Sequence, residues 1–293
     1  MPSTSIWVKR KWCYAPRTAE GVMVAIAKLG VHNSKHRFAW RGLSNCDYEL
    51  TSSLHRSLEK GGETCITEEK IREKEKDVLK KARDWGLGIE GGNMVDDLQL
   101  LADLQHFGVP TRLIDVTSNP MTALWFACRS SGREGNDRSG VLIALNIAAW
   151  YKEGKSAFRT VGDPGITKGD LGAQLRAGLS LKTPFIVSSD VQNPRLRAQD
   201  GYFVACRHPS EPTNPLTSLN VKFSNPNIDI SKYFKADRGV GRRPTIPYFA
   251  IIIPSGAKKD LRSHLQNTFN RSRKSLFPDY QGFSDYVKEE LFR

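Results

Sequence analysis

Residues 100–129 constrain the fold more than any other stretch, because two apolar helical patterns there enclose a short polar segment. Leu101 and Leu104 fall on one face of the first pattern, which predicts an amphipathic helix. Gly108 suits the left-handed position that follows a helix, and Pro110 prevents the helix from resuming. The first helix is therefore expected to end just before the polar segment.

The polar segment itself leads from a short strand into a second helix. Residues 112–116 contain an apolar run that predicts extended backbone. Thr117, Ser118 or Asn119 can cap the next helix, and Pro120 suits its first turn. A buried or half-buried strand clamped between two helices is the predicted local structure.

The side chains gathered on this segment have the chemistry of an anion site. They are His106, Thr111, Arg112, Asp115, Thr117, Ser118 and Asn119. A helix N-terminus offers unpaired N–H groups to a phosphate, and Arg112 would grip a phosphate or carboxylate with two hydrogen bonds. Asp115 would orient a ribose hydroxyl or a histidine. In the alternative interpretation Arg112 and Asp115 form a buried ion pair and the other groups satisfy loop backbone.

A second arginine lies in a predicted strand further upstream. Phe38 and Trp40 alternate with Arg37 and Arg41, which is the period of a strand. Gly42 is expected to break the strand, so that the chain turns sharply or a ligand approaches closely. Arg41 would then point into a cleft, where we expect it to meet Arg112 in one pocket that suits an anionic ligand. The alternative is a solvated arginine on an edge strand.

Residues 194–206 read as a hairpin that turns at Asp200. Such a hairpin would present Arg195, Arg197 and Gln199 on one face. Two arginines and an amide together suit a phosphate or a nucleobase. The same pattern also describes a strand face that points to solvent.

The order of the remaining elements predicts the fold class. Helices are expected over residues 16–29, from Thr67 onward, and over residues 257–269 and 280–291. Strands are expected over residues 141–145, 184–188 and 246–253, the last of them central in the sheet, whereas residues 48–56 read as irregular. Residues 148–178 read as a mobile lid or as irregular packing. This order predicts an α+β fold with a mixed, mainly antiparallel sheet, single or split into two sheets, flanked by helices. Residues 1–35 are expected to form an N-terminal helical extension, and residues 36–293 a single domain.

Charge and composition indicate which classes of binding partner to expect. The net charge of +13 and a pI of about 9.6 favour an acidic partner such as RNA or DNA, and the region between Lys232 and Lys274 is the best candidate for a phosphate-tracking face. No apolar run approaches the roughly 20 residues that span a bilayer, so we expect no membrane partner. Five scattered cysteines without a CxxC pair predict no metal site and a reducing, cytoplasmic environment. The N-terminus has basic residues but no apolar run behind them, so no signal peptide is expected.

Several of these stretches together resemble the FRG-domain family. Residues 38–42 read Phe-Ala-Trp-Arg-Gly, which is similar to the Phe-x-Arg-Gly-like signature of that family. Further similarity lies in residues 48–56, 106–127, 195–203 and 277–283. The resemblance covers most of the chain from Phe38 onward and implies a site without fixing a reaction.

A more distant resemblance connects the chain to ADP-ribosyltransferases. Their NAD site often begins with an aromatic strand that ends in Arg-Gly, as at Trp40, Arg41 and Gly42, and continues with a Thr or Ser beside an apolar helix, as at Thr117. Their third motif usually supplies a Glu, for which Gln199 and the adjoining Asp200 are the nearest equivalents here.

This resemblance implies an NAD-using effector of toxin or antiviral-defence type that modifies nucleic acid or protein. Arg41 would bind the NAD diphosphate or ribose, Thr117 and the helix after it would hold the nicotinamide side, and Gln199 would polarise the acceptor.

Two other functions remain open from the sequence. One is a nucleic-acid-binding or nucleic-acid-processing protein without NAD, in which His106, Arg112 and Asp115 act as acid and base on a phosphodiester. The other is a non-catalytic nucleotide sensor.

Overall fold

A computed structural model describes residues 6–7, 13–33, 37–129, 138–150, 158–160, 173–181, 183–188, 194–211, 215–221, 230 and 246–292. Most of the predicted lid, residues 148–178, and residues 231–245 of the predicted basic region lie outside the described residues.

One eight-stranded sheet organises the molecule. Its strands are β1 (Cys13–Tyr14), β2 (Phe38–Leu43), β5 (Ile114–Thr117), β6 (Gly140–Asn146), β7 (Phe158–Thr160), β8 (Phe185–Ser188), β9 (Gly201–Ala205) and β10 (Tyr248–Ile253). They lie in the order β1-β10-β6-β2-β5-β9-β8-β7, and all neighbours are antiparallel except the parallel pairs β1–β10 and β7–β8. A separate hairpin joins β3 (Ile89–Glu90) to β4 (Asn93–Met94). The α+β class and the mainly antiparallel sheet are confirmed.

Ten α-helices surround this sheet in the described part of the chain. They are α1 (Ala19–His32), α2 (Ser53–Lys60), α3 (Glu68–Asp84), α4 (Asp97–His106), α5 (Pro120–Ala127), α6 (Ala173–Leu179), α7 (Pro194–Ala198), α8 (Lys258–Phe269), α9 (Arg273–Leu276) and α10 (Tyr280–Glu290). Thr67 caps α3 and Asn119 caps α5 through their side-chain oxygens, as the sequence predicted. Gly108 follows α4 with a φ of +83°, which explains why that helix ends there.

Three local predictions are wrong. Residues 53–60 form a helix rather than an irregular segment, because Ser52 caps it and Leu54 and Leu58 are buried four residues apart. Residues 194–198 form α7, so the predicted hairpin is absent and only the turn at Asp200 remains. The strand β10 lies next to the edge strand β1 and is not central.

Glycines fix the distance between α5 and the sheet. A Cβ built at Gly42 would lie 1.9 Å from the carbonyl oxygen of Ala123, and one at Gly140 would lie 2.3 Å from that of Ala127. Gly42 does not break β2, which continues to Leu43. The prediction of a strand break is therefore wrong, since the close neighbour of this glycine is the helix α5.

Apolar clusters cover both faces of the sheet. Val204 of β9 and Ile186 of β8 belong to a large cluster that includes residues of α1, α5 and α8. Their neighbours Phe203 and Phe185 belong to a second cluster with α3, α4 and α6. Because successive strand side chains point to opposite faces, the two clusters sandwich this half of the sheet.

The N-terminal segment joins the larger cluster. Trp7 is fully buried, and its indole Nε1 donates to the carbonyl of Tyr48 at 2.9 Å. The short strand β1 extends the sheet beside β10, and the buried face of α1 packs in the same cluster. No helix in the described ranges has both the length and the apolar character that crossing a membrane requires.

Candidate functional site

A cavity of about 390 Å³ opens beside the central strands β2, β5 and β9. Its walls come from these strands, from α4, α5 and α7, and from Phe277 near the C-terminus. Of the residues that the sequence singled out, the structure brings together here Trp40, Arg41, Gly42, His106, Asp115, Thr117, Arg195 and Gln199. This volume lies within the range of small-molecule sites, about 300–1,000 Å³.

Arg41 and Asp115 form the centre of the cavity wall. The Nη1 atom of Arg41 donates to the backbone oxygen of Asp115 at 2.8 Å and lies 3.4 Å from the carboxylate Oδ2. Gln105 Nε2 donates to the same Oδ2 at 3.0 Å. The Asp115 side chain remains 48% exposed, so its carboxylate is oriented by protein groups and still accessible to a ligand.

Gln105 is itself held by two hydroxyl groups. Its Oε1 accepts from Ser53 Oγ at 3.0 Å and from Thr111 Oγ1 at 2.9 Å. Thr111 is fully buried, so its role is to position Gln105 and through it Asp115. Sequence reasoning did not identify Gln105, although an amide among the leucines of α4 was a signal of a buried polar contact.

Arg195, a further residue of the cavity wall, is fixed by the C-terminal segment. Its Nε and Nη2 atoms donate to the two carboxylate oxygens of Asp279, each at 2.8 Å. The guanidinium also lies 5.1 Å from the ring centroid of Phe277. The hydrogen bonds from Arg195 hold the pKa of Asp279 below its ordinary value. Neither Phe277 nor Asp279 was among the predicted site residues.

His106 also lines the cavity. Burial lowers the pKa of its imidazole, and the charge of Arg195 lowers it further, whereas Asp279 and Asp115 act in the opposite direction. The neutral imidazole is therefore favoured near pH 7, and a neutral imidazole can accept a proton.

The cavity walls combine aromatic rings with unsatisfied polar atoms. Trp40, Phe126 and Phe203 line it alongside Phe277. Arg41 Nε and, on α5, Thr122 Oγ1 are buried and have no hydrogen-bond partner among the described residues. Buried polar atoms of this kind are rare, and a bound ligand or an ordered water would satisfy them.

Arg112 lies elsewhere, so the expectation that it meets Arg41 in one pocket is wrong. Its side chain is 3% exposed, its Nε donates to Glu75 at 2.7 Å, and its Nη1 donates to Glu68 at 3.1 Å. The two glutamates lie seven residues apart on the buried face of α3. The alternative pairing of Arg112 with Asp115 is wrong as well, because Asp115 contacts Arg41.

The remaining predicted residues support the cavity or lie outside it. Thr117 Oγ1 donates to the carbonyl of Gln199 at 2.7 Å, and Gln199 Nε2 donates to the carbonyl of Leu276 at 3.0 Å. Asn119 caps α5 and donates to Asp200 at 3.0 Å. Arg197 is exposed and is not among the residues that line the cavity.

A larger cleft of about 830 Å³ lies near Glu68 and His208. It is bounded by Leu181 and Asn220, and residues 182 and 222–229 beside them lie outside the described part of the chain. The polar groups of Glu68 and His208 in its wall are bonded to protein groups.

Two cations of the predicted basic region bind backbone near the end of α5. Lys258 is buried, and its Nζ donates to the carbonyl of Ser44 at 2.8 Å. Arg262 donates to the carbonyl of Cys128 at 2.7 Å. These side chains satisfy backbone carbonyls instead of forming a phosphate-tracking face. In the described ranges, no group of three His, Cys, Asp or Glu side chains is arranged to hold a metal.

Comparison with known proteins shows a similarity at the level of a domain family. The family model for the FRG domain matches residues 36–136, which include β2, β5 and the helix α4 between them. No curated protein and no solved structure matches the chain.

Proposed function

We propose that the cavity binds a nucleotide and that the protein, whose residues 36–136 match the family model for the FRG domain, is an NAD-using enzyme of ADP-ribosyltransferase type. The observation that carries the proposal is the convergence of Arg41, Arg195 and His106 on one aromatic-walled cavity. Guanidinium groups bind phosphates and aromatic rings stack on bases, so the cavity combines the two recognition elements of a nucleotide.

The residues present fit NAD in chemistry. Arg41 has an unpartnered Nε atom buried in the wall, and Thr122 has an unpartnered hydroxyl, so a ligand with phosphate and ribose oxygens would satisfy both. Bound NAD would supply an ADP-ribosyl group: the bond between ribose and nicotinamide would break, neutral nicotinamide would leave with the electron pair, and the acceptor would bond to the ribose carbon.

The side chains of the cavity have distinct tasks in this proposal. Arg41 and Arg195 hold the diphosphate, and Asp115 keeps Arg41 in place and stabilises positive charge on the ribose. His106, neutral at pH 7, accepts the proton that the acceptor group loses. Because the pKa of His106 is lowered by burial, turnover should persist at pH 6.5 and fall only at lower pH.

Two measurements test the proposal: calorimetric titration with NAD and ADP-ribose, and nicotinamide release in the presence of nucleic acid or protein acceptors. We expect binding by the native chain and a loss of at least tenfold in affinity for Arg41→Ala, since a charged hydrogen bond contributes about 1.5–3 kcal/mol. Arg72→Ala is the matched control, because Arg72 is 40% exposed and bonded to Glu68 of α3, away from the cavity. Failure of the native chain to bind either ligand contradicts the proposal.

A non-catalytic nucleotide sensor is the second candidate. ADP-ribosyltransferases usually use a glutamate in catalysis. Among the described residues that line the cavity, the carboxylate is that of Asp115 and there is no glutamate, which favours a sensor. Binding of ADP-ribose without nicotinamide release under any acceptor condition would support the sensor and exclude the transferase.

A further inference from the structure

Two buried histidines contact each other outside the cavity. His55 on α2 is 4% exposed, and His208, which follows β9, is 5% exposed. Their ring planes lie 10° apart, and the Nδ1 atom of His55 lies 3.1 Å from the Nε2 atom of His208. Neither residue lines the cavity, so the proposed function leaves this contact between two ionisable groups unused.

The outer partners of the two rings determine where the hydrogens lie. His208 Nδ1 lies 3.0 Å from the carbonyl oxygen of Pro209, which can only accept, so this nitrogen carries a hydrogen. The Nε2 atom of a neutral His208 is then an acceptor, and the Nδ1 atom of His55 donates to it. His55 Nε2 lies 3.4 Å from the carboxylate Oε1 of Glu59. A hydrogen bond from His55 to Glu59 therefore requires an additional proton on the pair.

One additional proton fits this arrangement, and a second does not. With one, a hydrogen still lies between the two rings, and Glu59 accepts from His55 Nε2. With two, both facing nitrogens carry a hydrogen, so their hydrogen bond is lost and two imidazolium rings repel each other in a buried site. Burial lowers the pKa of His208, and the charge of His55 lowers it further.

The charged groups around the pair do not compensate a second proton. Glu59 is 55% exposed, so solvent screens its charge. Glu68 on α3 accepts from the backbone N–H of His208, but it is already paired with Arg112, whose positive charge acts against protonation of His208. Burial raises the pKa of the nearby Cys206 thiol to about 12, which keeps the thiol neutral. Among the described residues, only Glu59 places a carboxylate against a ring nitrogen of the pair.

The helix α2 connects the histidine pair to the cavity. Ser53 lies in the same turn as His55. Its Oγ atom accepts from the backbone N–H of Thr111 and donates to Gln105 Oε1, each at 3.0 Å. Gln105 in turn donates to the carboxylate of Asp115, which lines the cavity. A displacement of α2 therefore loosens the support of Asp115.

We propose that His55 and His208 form a proton-sensitive link, which holds α2 in place near neutral pH and releases it when the pair takes up a second proton. Release of α2 would withdraw Ser53 from Gln105 and leave the carboxylate of Asp115 less well oriented. The regulatory meaning of this link rests on the proposed function, because the link makes ligand binding in the cavity depend on pH. Histidines act as pH sensors when a change of charge biases the position of a packed element.

Hydrogen–deuterium exchange at pH 7 and pH 5, corrected for the intrinsic effect of pH, tests the link without a ligand. The folded state binds the second proton less readily than the unfolded chain does. The stability that the pair contributes is therefore lost as the pH falls below the ordinary histidine pKa of about 6.5. In the native chain we expect exchange in residues 53–60 and 109–113 to be at least about threefold faster at pH 5 than at pH 7.

Two variants each remove one titratable ring and keep a hydrogen bond between the side chains. In His208→Gln the amide oxygen replaces the accepting Nε2 atom, and in His55→Asn the amide nitrogen replaces the donating Nδ1 atom. Both should lose the acid-induced change in exchange, and either one suffices if the other does not fold. His264→Gln is the matched control, because His264 is exposed on α8 and contacts Thr268, and this variant should behave as the native chain does. The inference is overturned if the folded variants keep the acid-induced change or if the native chain shows none.

Calorimetry with ADP-ribose separates this inference from the proposed function. If ADP-ribose binds, the affinity of the native chain should fall several-fold more between pH 7 and pH 5 than that of His208→Gln. Equal pH dependence of the two affinities would overturn the coupling of the histidine pair to the cavity. If the native chain binds no ADP-ribose while exchange changes as expected, the link stands and the proposed function fails.

Discussion

Single residues determine whether the cavity can form. Gly42 allows the backbone of α5 to lie directly against β2, and this contact brings Thr122 and Phe126 to the cavity beside Arg41. Asp279 acts differently, since it does not line the cavity and instead orients Arg195. One residue thus sets a distance between elements, and the other sets the direction of a charge.

Gly42→Ala should destabilise the fold severely. The added methyl group would lie 1.9 Å from the oxygen of Ala123, a backbone atom that cannot move without displacing α5. We expect a loss of about 3 kcal/mol in the free energy of unfolding, measured by urea denaturation.

Gly30→Ala provides the control for this substitution. Gly30 lies within α1 and has open space around its missing Cβ. Because alanine is favoured over glycine in a helix, this variant should be more stable than the native chain by about 0.5–1 kcal/mol. Equal effects of the two substitutions would contradict the packing argument.

Asp279→Asn should weaken nucleotide binding without unfolding the protein. The amide keeps the size of the side chain but loses the charge that fixes Arg195, so the guanidinium would be less well oriented for a phosphate. We expect several-fold weaker ADP-ribose binding by calorimetry. Asp285→Asn on the same helix should leave binding unchanged, because Asp285 bonds to Gln281.

The sequence allowed much of this site to be predicted because its main residues lie in short segments with a clear period. Arg41, His106 and Asp115 were each identified from local patterns, and they line the same cavity. Arg112 was misjudged because local pattern does not specify which distant acid faces a buried arginine. Asp279 was missed for the same reason, since it lies 84 residues from the Arg195 that it contacts.

At the scale of elements, α3 is tied to the sheet by charge as well as by apolar packing. Glu68 and Glu75 approach Arg112 from the buried face of α3, and Glu68 also accepts from the backbone N–H of His208 at 2.7 Å. Burial raises the pKa of Glu75, while Arg112 opposes the shift. The ion pairs with Arg112 therefore hold α3 against the sheet, at a position where burying either carboxylate without a cation would lower the stability of the fold.

Arg112→Ala should destabilise the protein by about 3–5 kcal/mol in chemical denaturation at pH 7, because it leaves the buried carboxylate of Glu75 without a cation and Glu68 with the partly exposed Arg72 alone. The loss should become smaller as the pH is lowered. Burial raises the pKa of Glu75 and Arg112 opposes that shift, so removing Arg112 should raise this pKa further. Protonation of Glu75 as the pH falls then stabilises the folded variant more than the folded native chain, and the difference between the two narrows.

Removal of the partly exposed Arg72, which also contacts Glu68, should cost less than about 1 kcal/mol. If the loss in free energy of unfolding caused by Arg112→Ala is the same at pH 7 and at pH 5, burial of an unpaired charge is not its cause.

Across the whole molecule, the two apolar clusters share strands and should behave as one unit. Neighbouring residues of β9, Phe203 and Val204, belong to different clusters, so neither cluster can lose this strand without exposing the other. Trp40 from the larger cluster and Phe203 from the smaller one both line the cavity.

Calorimetry should therefore show one cooperative unfolding transition. ADP-ribose at about 100 times its Kd should raise the stability of that whole transition by about 2.7 kcal/mol. Two separate transitions, only one of them shifted by ligand, would mean that the clusters unfold independently.

The pairing of β2 with β5 has a consequence for any shortened version of the chain. Within residues 36–136, these two strands meet only at Trp40 and Thr117, while the longer ladder of β2 is made with β6 and that of β5 with β9. A fragment that ends where the family match ends would keep β2 and β5 but lose the strands that pair with most of their length. Their backbone hydrogen-bonding groups would be exposed, so the fragment should aggregate when expressed alone. Restoring solubility would require the downstream strands β6 and β9 that pair with them, so the segment that matches the family is shorter than the segment that folds alone.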